Sequence, residues 1–222
     1  MDSPDLQYDD EVRERVIRVS AALFARRGVL GVTCDEVLLI TGVGAREFSR
    51  LFPSRDELVL AYLAWWDRAW MLELMSIETT DAVSPLEGRL LAVFDALSER
   101  LRAENFDVLP FTRVLIEVGS DHPIGRACIR YLEGVRAIMA SIAAQAGLVE
   151  PESFAASWHI LLEGSFIAGA EGDVGAAHRA KALAKTLITR HRPSGSGSLR
   201  SKPSARPLRD RGDSPEDWIS WL

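Results

Sequence analysis

The 222-residue sequence predicts an all-α protein, and three observations carry that expectation. Apolar residues recur at spacings of three and four along most of the chain before Pro193, the period of a helix with one buried face. Helix-starting signatures stand where those runs begin: a serine or threonine three residues before a glutamate, or a proline at a first helical position. No alternating strand pattern of useful length and no internal repeat interrupts them.

From Tyr8 to Arg27, Val12, Val16, Val19, Leu23 and Phe24 make one apolar face, and Gly28 stops the helix. Thr33 with Glu36 forms a capping box that opens a helix of about two turns, "DEVLLIT", ending at Gly42. After the turn "TGVG", the stretch "AREFSRLF" sets Phe48, Leu51 and Phe52 on one side and leaves Arg46, Ser49 and Arg50 to point outward, before Pro53 ends it. Ser54 and Glu57 cap a long helix through "DELVLAYLAWWDRAWMLELMSI". Further helices are expected from Pro85 to about Ala103, around "LPFTRVLIEV", from Pro123, from Pro151, and after Asp173 as a cap. Past Pro193 the chain turns rich in Ser, Gly, Pro and Arg and reads as a flexible tail.

Composition narrows the function. A content of 47% hydrophobic residues is that of a globular protein with a real core, and the longest apolar runs fall far short of the roughly 20 residues of a membrane span. The acidic N-terminus does not look like an export signal, which places the protein in the cytoplasm. The two cysteines, Cys34 and Cys128, lack a CxxC partner and read as small fillers, with neither disulfide nor zinc site indicated. A formal net charge of -6 argues against nonspecific coating of nucleic acid, but leaves room for a local basic face.

Helices of two turns do not stand alone, so the second and third must be held by packing on the first and fourth. Two short helices joined by a glycine turn and braced by a third form the helix-turn-helix arrangement, which sets its second helix in the major groove. Arg46, Ser49 and Arg50 supply donors suited to guanine edges or phosphate oxygens. An ordinary helical hairpin with solvated arginines explains the same pattern.

Residues 11 to 60 resemble the N-terminal domain of the TetR family of transcriptional regulators. "AALFARRGVLGVTCDEVLLITGVGAREFSRLFPSRDEL" carries the apolar helix ending in "LF..RG", the threonine that starts helix two, the "GV" turn and the "FPS+.EL" junction. "LLEGSFIAGAEGDVGAAHRAKALAKTLI" is similar, more weakly, to the last two helices of many members. The resemblance implies a DNA-binding domain over residues 1–55, a ligand-sensing and dimerisation domain over 56–192, and a tail over 193–222. It implies recognition roles for Arg46, Ser49 and Arg50, and phosphate contacts for Thr33 and Arg55 at helix N-termini. The chain departs from the usual third helix at Gly44, Ala45 and Glu47; Glu47 accepts from a cytosine amino group, or pairs with Arg46 or Arg50 across the helix surface.

A palindromic DNA site calls for a two-fold protein, so a homodimer is expected. Trp158, Leu161, Gly164, Phe166 and Ala168, with Ala177, Ala180 and Ala184, are the expected interface, which the resemblance places in a four-helix bundle; plain monomer core is the alternative. Trp65, Trp66 and Trp70, with Phe94, Phe106 and Phe111, are expected to line a cavity for a small apolar ligand, whose binding would release a repressor from its operator. Solid core explains such aromatics equally well.

No cofactor is implied, and no convergent acid, base, nucleophile or metal set marks an enzyme. His159 and Glu163 form an i, i+4 pair, expected at a surface or interface. The tripeptide Arg211-Gly212-Asp213 reads as a chance match, while the basic tail and its "DWISWL" end could attract phosphate or dock as an amphipathic segment. The competing class is a helical protein-interaction module without specific DNA readout.

Overall fold

The structure, a computed structural model, describes residues 4–76, 85–102 and 110–193, with side chains over 8–70, 86–102 and 110–193. Phe106, the side chains of Met71 and Met75, and the tail from 194 onward lie outside the described residues. Among the described residues all regular structure is helical: α1 (Pro4–Arg27), α2 (Cys34–Thr41), α3 (Ala45–Leu51), α4 (Arg55–Ser76), α5 (Pro85–Arg102), α6 (Pro110–Val118), α7 (Pro123–Gln145), α8 (Pro151–Ala170) and α9 (Ala176–His191). None is long and apolar enough to cross a membrane.

Among the described residues, the expected caps of α2 and α4 act as read, while two helix starts shift. The Thr33 hydroxyl accepts from the Glu36 amide at 3.3 Å, and Gly42 ends α2 at φ 66°, a left-handed turn that costs glycine no side-chain clash. Ser54 accepts from the Glu57 amide at 3.1 Å at the head of α4. The first helix begins four residues before Tyr8, at Pro4. The last begins at Ala176 rather than next to Asp173, because Asp173 spends its carboxylate on the Gly175 amide at 3.1 Å and on Arg179, holding one extra turn before the helix starts.

Two apolar cores organise these helices. The first gathers Val16, Phe24, Val37, Phe48 and Phe52 of the head with Leu58, Val59 and Tyr62 of α4, and continues without a break into Phe111 and Val114 of α6 and Ile124 and Cys128 of α7. Burial pushes the Cys128 thiol up to about 12, so it is an inert filler; Cys34 is half-buried. The second core packs α5, α7, α8 and α9 around Phe94, Phe154, Trp158 and Phe166, with Trp70 reaching in from α4. Trp158 is fully buried with its indole N–H donating to the Leu90 carbonyl at 2.9 Å, the partner a buried indole needs.

Candidate nucleic-acid interface and the polar seam behind it

The head presents α3 outward because Phe48 and Phe52 pull its other side inward. Their rings lie 5.5 Å apart in the core, and the Arg13 guanidinium of α1 sits 5.5 Å over Phe52. Arg46, Ser49 and Arg50 are consequently exposed on one face of a seven-residue rod. Thr33 is exposed at the start of α2, where its hydroxyl serves as the cap.

Arg50 has a partner that local sequence could not reveal. Its guanidinium grips both carboxylate oxygens of Asp9, one bond at 2.6 Å, and Asp9 lies 41 residues earlier near the start of α1. The pairing holds the Asp9 carboxyl below its usual range and the Arg50 guanidinium above its own. Of the partners expected for Glu47, Arg50 is engaged elsewhere: Glu47 acts on it only through space, because Asp9 fills the fork with bidentate geometry that Glu47, one turn away, does not match.

Arg55 also differs from expectation. It stands at the start of α4, but its side chain turns back and donates to the carbonyls of Val29 and Val32, at 3.3 Å for the latter. A guanidinium that satisfies carbonyls of the turn between α1 and α2 braces the head from inside, and that use competes with a phosphate contact.

A second brace comes from the body. On α6, Arg113 donates to the Ala25 carbonyl at 2.6 Å, while Glu117 accepts from the Val29 and Leu30 amides at 2.8 and 3.3 Å. One i, i+4 pair thus caps the carbonyl end of α1 and the turn that follows it. Gly28 makes room for it: at φ 74° it is left-handed, and a Cβ there would stand 2.4 Å from a Glu117 carboxylate oxygen. The sequence displays the pair Arg113 and Glu117, but no side-chain pattern marks backbone targets 88 residues away.

The neighbour of Arg113 faces the opposite way. The Thr112 hydroxyl donates to Oε2 of Glu163 on α8 at 2.8 Å, inside the body. Glu163 and His159 are therefore interior to the single chain, correcting their expected place at a surface or interface, since α7 packs on α8 and Thr112 of α6 reaches Glu163. Burial drives the His159 imidazole down to about 4, with the Arg136 charge adding to the effect, and burial raises the Glu163 carboxyl against the opposing pull of Thr112 and Arg136.

These shifts have opposite signs in their pH consequences. His159 is neutral in the fold and more readily protonated when unfolded, so its contribution is whole above pH 6.5 and is lost on acidification toward pH 4, by about 3 kcal/mol for this group alone. Glu163, raised in the fold, holds its proton longer than the unfolded chain does and offsets part of that loss. Urea unfolding between pH 7 and 4 is expected to show acid destabilisation that is flattened in His159→Gln; an unchanged slope would show that His159 does not titrate in this way.

Of the six aromatic residues expected around one cavity, Phe106 lies outside the described residues and the other five are divided between different surroundings. Trp70 meets Phe166 edge to face at 6.2 Å and Phe94 meets Trp158 at 5.4 Å in the second core, whereas Phe111 packs on Tyr131 at 5.1 Å in the first. Trp65 turns to the other side of α4, where with Ile17, Ala61, Arg13 and Arg68 it lines a cleft of about 490 Å³ against α1. Helical period explains the division: adjacent residues 65 and 66 point about 100° apart, so one stripe cannot hold all three tryptophans. Among the described residues, three buried side-chain atoms have no hydrogen-bond partner: Nε1 of Trp66, Nε1 of Trp70 and Oε1 of Glu163. Each such atom costs about 1–3 kcal/mol while unpaired.

The expected dimer residues need the same sorting by face. Trp158, Phe166, Ala177, Ala180 and Ala184 are buried within the single chain, and Leu161 and Ala168 pack partly against the same core, so this stripe is core and not an open interface. The apolar periodicity marked the inward side of α8 and α9. Their outward side carries Gly164, which is exposed, flanked by Ile160 (71% exposed) and Ile167 (54%), with Leu183 of α9 at 57%.

No family model matches the sequence, and no curated protein matches it. Solved structures do. A TetR-family transcriptional regulator from Streptomyces coelicolor is 21% identical with a TM-score of 0.73, over 82% of this chain and 96% of that one. The reduced form of NemR from E. coli is 18% identical with a TM-score of 0.69, over 79% and 96%. A TetR transcriptional regulator from Chloroflexus aurantiacus is 20% identical with a TM-score of 0.68, over 83% and 98%. The all-α fold of helix-turn-helix head and helical body is thus that of TetR-family transcriptional regulators.

Proposed function

We propose that the protein is a sequence-specific, DNA-binding transcriptional regulator of the cytoplasm, working as a homodimer on a palindromic operator. The carrying observation is the row of exposed Arg46, Ser49 and Arg50 on a short helix buttressed from behind, in the fold that TetR-family regulators share. Residues 1–55 read DNA in this account and residues 56–192 sense a ligand and dimerise. Thr33 joins the phosphate contacts, while Arg55 serves the turn it already braces. The dimer forms through the outward face of α8 and α9 around Gly164, Ile160 and Ile167.

The regulator acts as a repressor that a small molecule releases. Helix α6 supports this coupling: Thr112 holds the interior at Glu163 while Arg113 and Glu117 hold the head, so a shift of this nine-residue rod at one end displaces the other. To test the reading, sheared DNA from the source genome is passed over purified protein at near-physiological salt and the retained fragments are sequenced. Enrichment of a few palindromic sites by the wild type, lost with Arg46→Ala/Arg50→Ala, is the expected result; no enrichment would return the protein to the class of interaction modules.

The Asp9 contact adds a refinement. Any phosphate that approaches Arg50 must compete with the Asp9 carboxylate, so Asp9 suppresses binding to arbitrary duplex. Asp9→Asn is expected to tighten binding to a duplex lacking the operator about threefold, and to steepen its salt dependence by roughly one per half-site as one more counterion is released. Fluorescence anisotropy across a salt series measures both; no change in either would mean that Asp9 does not restrain Arg50.

A further inference from the structure

We infer that the cleft between α1 and α4 is the docking site of this chain's own residues 214–222, "SPEDWISWL", which seat Trp218 and Leu222 on its apolar floor and set Glu216 and Asp217 beside Arg68. The inference goes beyond the regulator reading and does not depend on it, since neither DNA nor a small molecule takes part.

Small residues make the cleft. Ala61 and Ala64 of α4 stop at Cβ opposite the buried Ile17 of α1, so the helices pack while a hollow of about 490 Å³ remains between them. That volume lies within the range of about 300–1,000 Å³ that holds a bound group. Trp65 walls the hollow; it is half-buried, and its ring stands edge to face with Trp66 at 5.8 Å. The rim is charged. On the α1 side Glu14 is paired with Arg18 at 2.5 Å, Arg13 lies over the Phe52 ring, and Asp10 would repel an acidic group. On the α4 side Arg68 is exposed, so an acidic segment is received there.

Residues 214–222 carry the matching chemistry. Ser214, Pro215 and Asp217 repeat the signature of Ser84, Pro85 and Glu87, with which α5 opens at Pro85. A helix begun in the same way brings Trp218, Trp221 and Leu222 to one face by their spacing of three and four, the pattern of a helix laid in a groove. Each indole can bury about 150–250 Å² of surface. Glu216 and Asp217 precede that face and supply the charge that Arg68 lacks.

The tether reaches. Arg192 is fixed to Glu87 at 2.5 Å, and Leu90, three residues further along α5, shares a core with Trp70, two residues beyond Arg68. The way from Arg192 round to the cleft is therefore about two helix diameters, on the order of 20 Å. Residues 194–213 are rich in Ser, Gly and Pro, and a chain of that length and composition spans about 25 Å on average. A tether matched to its span gives an effective concentration of about 1 mM, so pieces that would associate with a Kd of about 0.1 mM when separate are joined about nine-tenths of the time. A second molecule in micromolar solution offers the same segment far more dilute, which favours the segment of the same chain.

The test uses the full-length chain with Cys34→Ser, Cys128 being buried and inert. Ser220→Cys is combined either with Ala69→Cys, on the rim of the cleft, or with Glu152→Cys, an exposed site between Val149 and Phe154, both of which meet His191 at the root of the tether. A short bismaleimide joins thiols that stay close, and gels with peptide mass mapping separate links within one chain from links between two. The 69–220 link is expected to be about fivefold more abundant than the 152–220 link, although Glu152 is nearer the root. Arg68→Glu should lower it about threefold, and Glu216→Arg/Asp217→Arg should restore it in that background. Trp218→Ser/Trp221→Ser should bring it down to the level of the 152–220 link. A 152–220 link of equal or greater abundance, or a 69–220 yield indifferent to Arg68 and to both tryptophans, would overturn the inference. A 69–220 link found only between two chains would overturn it as well, and would give the cleft to a second copy.

Discussion

On the proposed reading, a dimer carrying Arg46→Ala and Arg50→Ala is expected to bind its operator on the order of 100-fold more weakly than the wild type. Both side chains are exposed on the outer face of α3, and neither contributes to the apolar core, so the substitutions remove contacts without removing the helix. Two-fold symmetry doubles the loss to four arginines per complex, and a dependence on salt shallower by roughly two to four in the logarithmic slope is expected where those arginines meet phosphates. A guanine contact leaves a different mark, relaxed preference at one base pair of each half-site. Gel shifts on an enriched fragment and on singly altered versions of it distinguish the two. Unchanged operator affinity in the double variant would remove α3 from the interface.

The second large effect concerns the outward side of α8. Ile160→Asp/Ile167→Asp is expected to turn the dimer into a monomer at micromolar concentration in sedimentation velocity, because two carboxylates on each chain would have to be desolvated against apolar surface. The helical content of each chain should persist, since substitutions at exposed positions seldom move stability by more than about 0.5 kcal/mol. Trp158→Ala on the inward side should do the reverse. It removes a fully buried indole together with its bond to Leu90 and is expected to cost about 3–5 kcal/mol, seen as a lower urea midpoint. A dimer that survives the double aspartate change would place the interface on another surface.

The contrast shows what the sequence made legible and where it stopped. Helix number, order and caps were readable because they depend on local chemistry: Thr33 and Ser54 cap the helices that they precede, and Gly42 ends α2 in the conformation that glycine favours. The outward row Arg46, Ser49 and Arg50 follows from the same period that buries Phe48. Periodicity identifies an apolar stripe, however, without saying what covers it. Trp158, Phe166 and Ala184 form a stripe that reads as a surface awaiting a partner, whereas α5, α7, α8 and α9 of the same chain already pack it into one core. The aromatic residues of α4 failed for a related reason, since their spacing spreads them over two faces.

Long-range polar contacts were illegible for a different reason. Asp9 with Arg50, Thr112 with Glu163, and Glu117 with the Val29 amide join residues 41, 51 and 88 positions apart. Nothing in the local pattern at either end distinguishes these side chains from solvated charges. The His159 and Glu163 pair was visible as a pair, but its burial depends on α6 and α7, elements that lie elsewhere in the sequence.

The brace from α6 bears on modularity. Because Arg113 and Glu117 satisfy the Ala25 carbonyl and the Val29 and Leu30 amides, and because the head core runs on into Phe111 and Val114, the head is finished by residues of another segment. A chimera that grafts these first 55 residues onto a foreign body would inherit a turn shaped for a carboxylate it no longer meets. Conversely, a foreign head bearing a side chain at position 28 would collide with Glu117, which stands where that Cβ would be. Recombination between relatives would therefore succeed only where positions 28, 113 and 117 travel together, making α6 as much a part of the helix-turn-helix head as of the body that contains it.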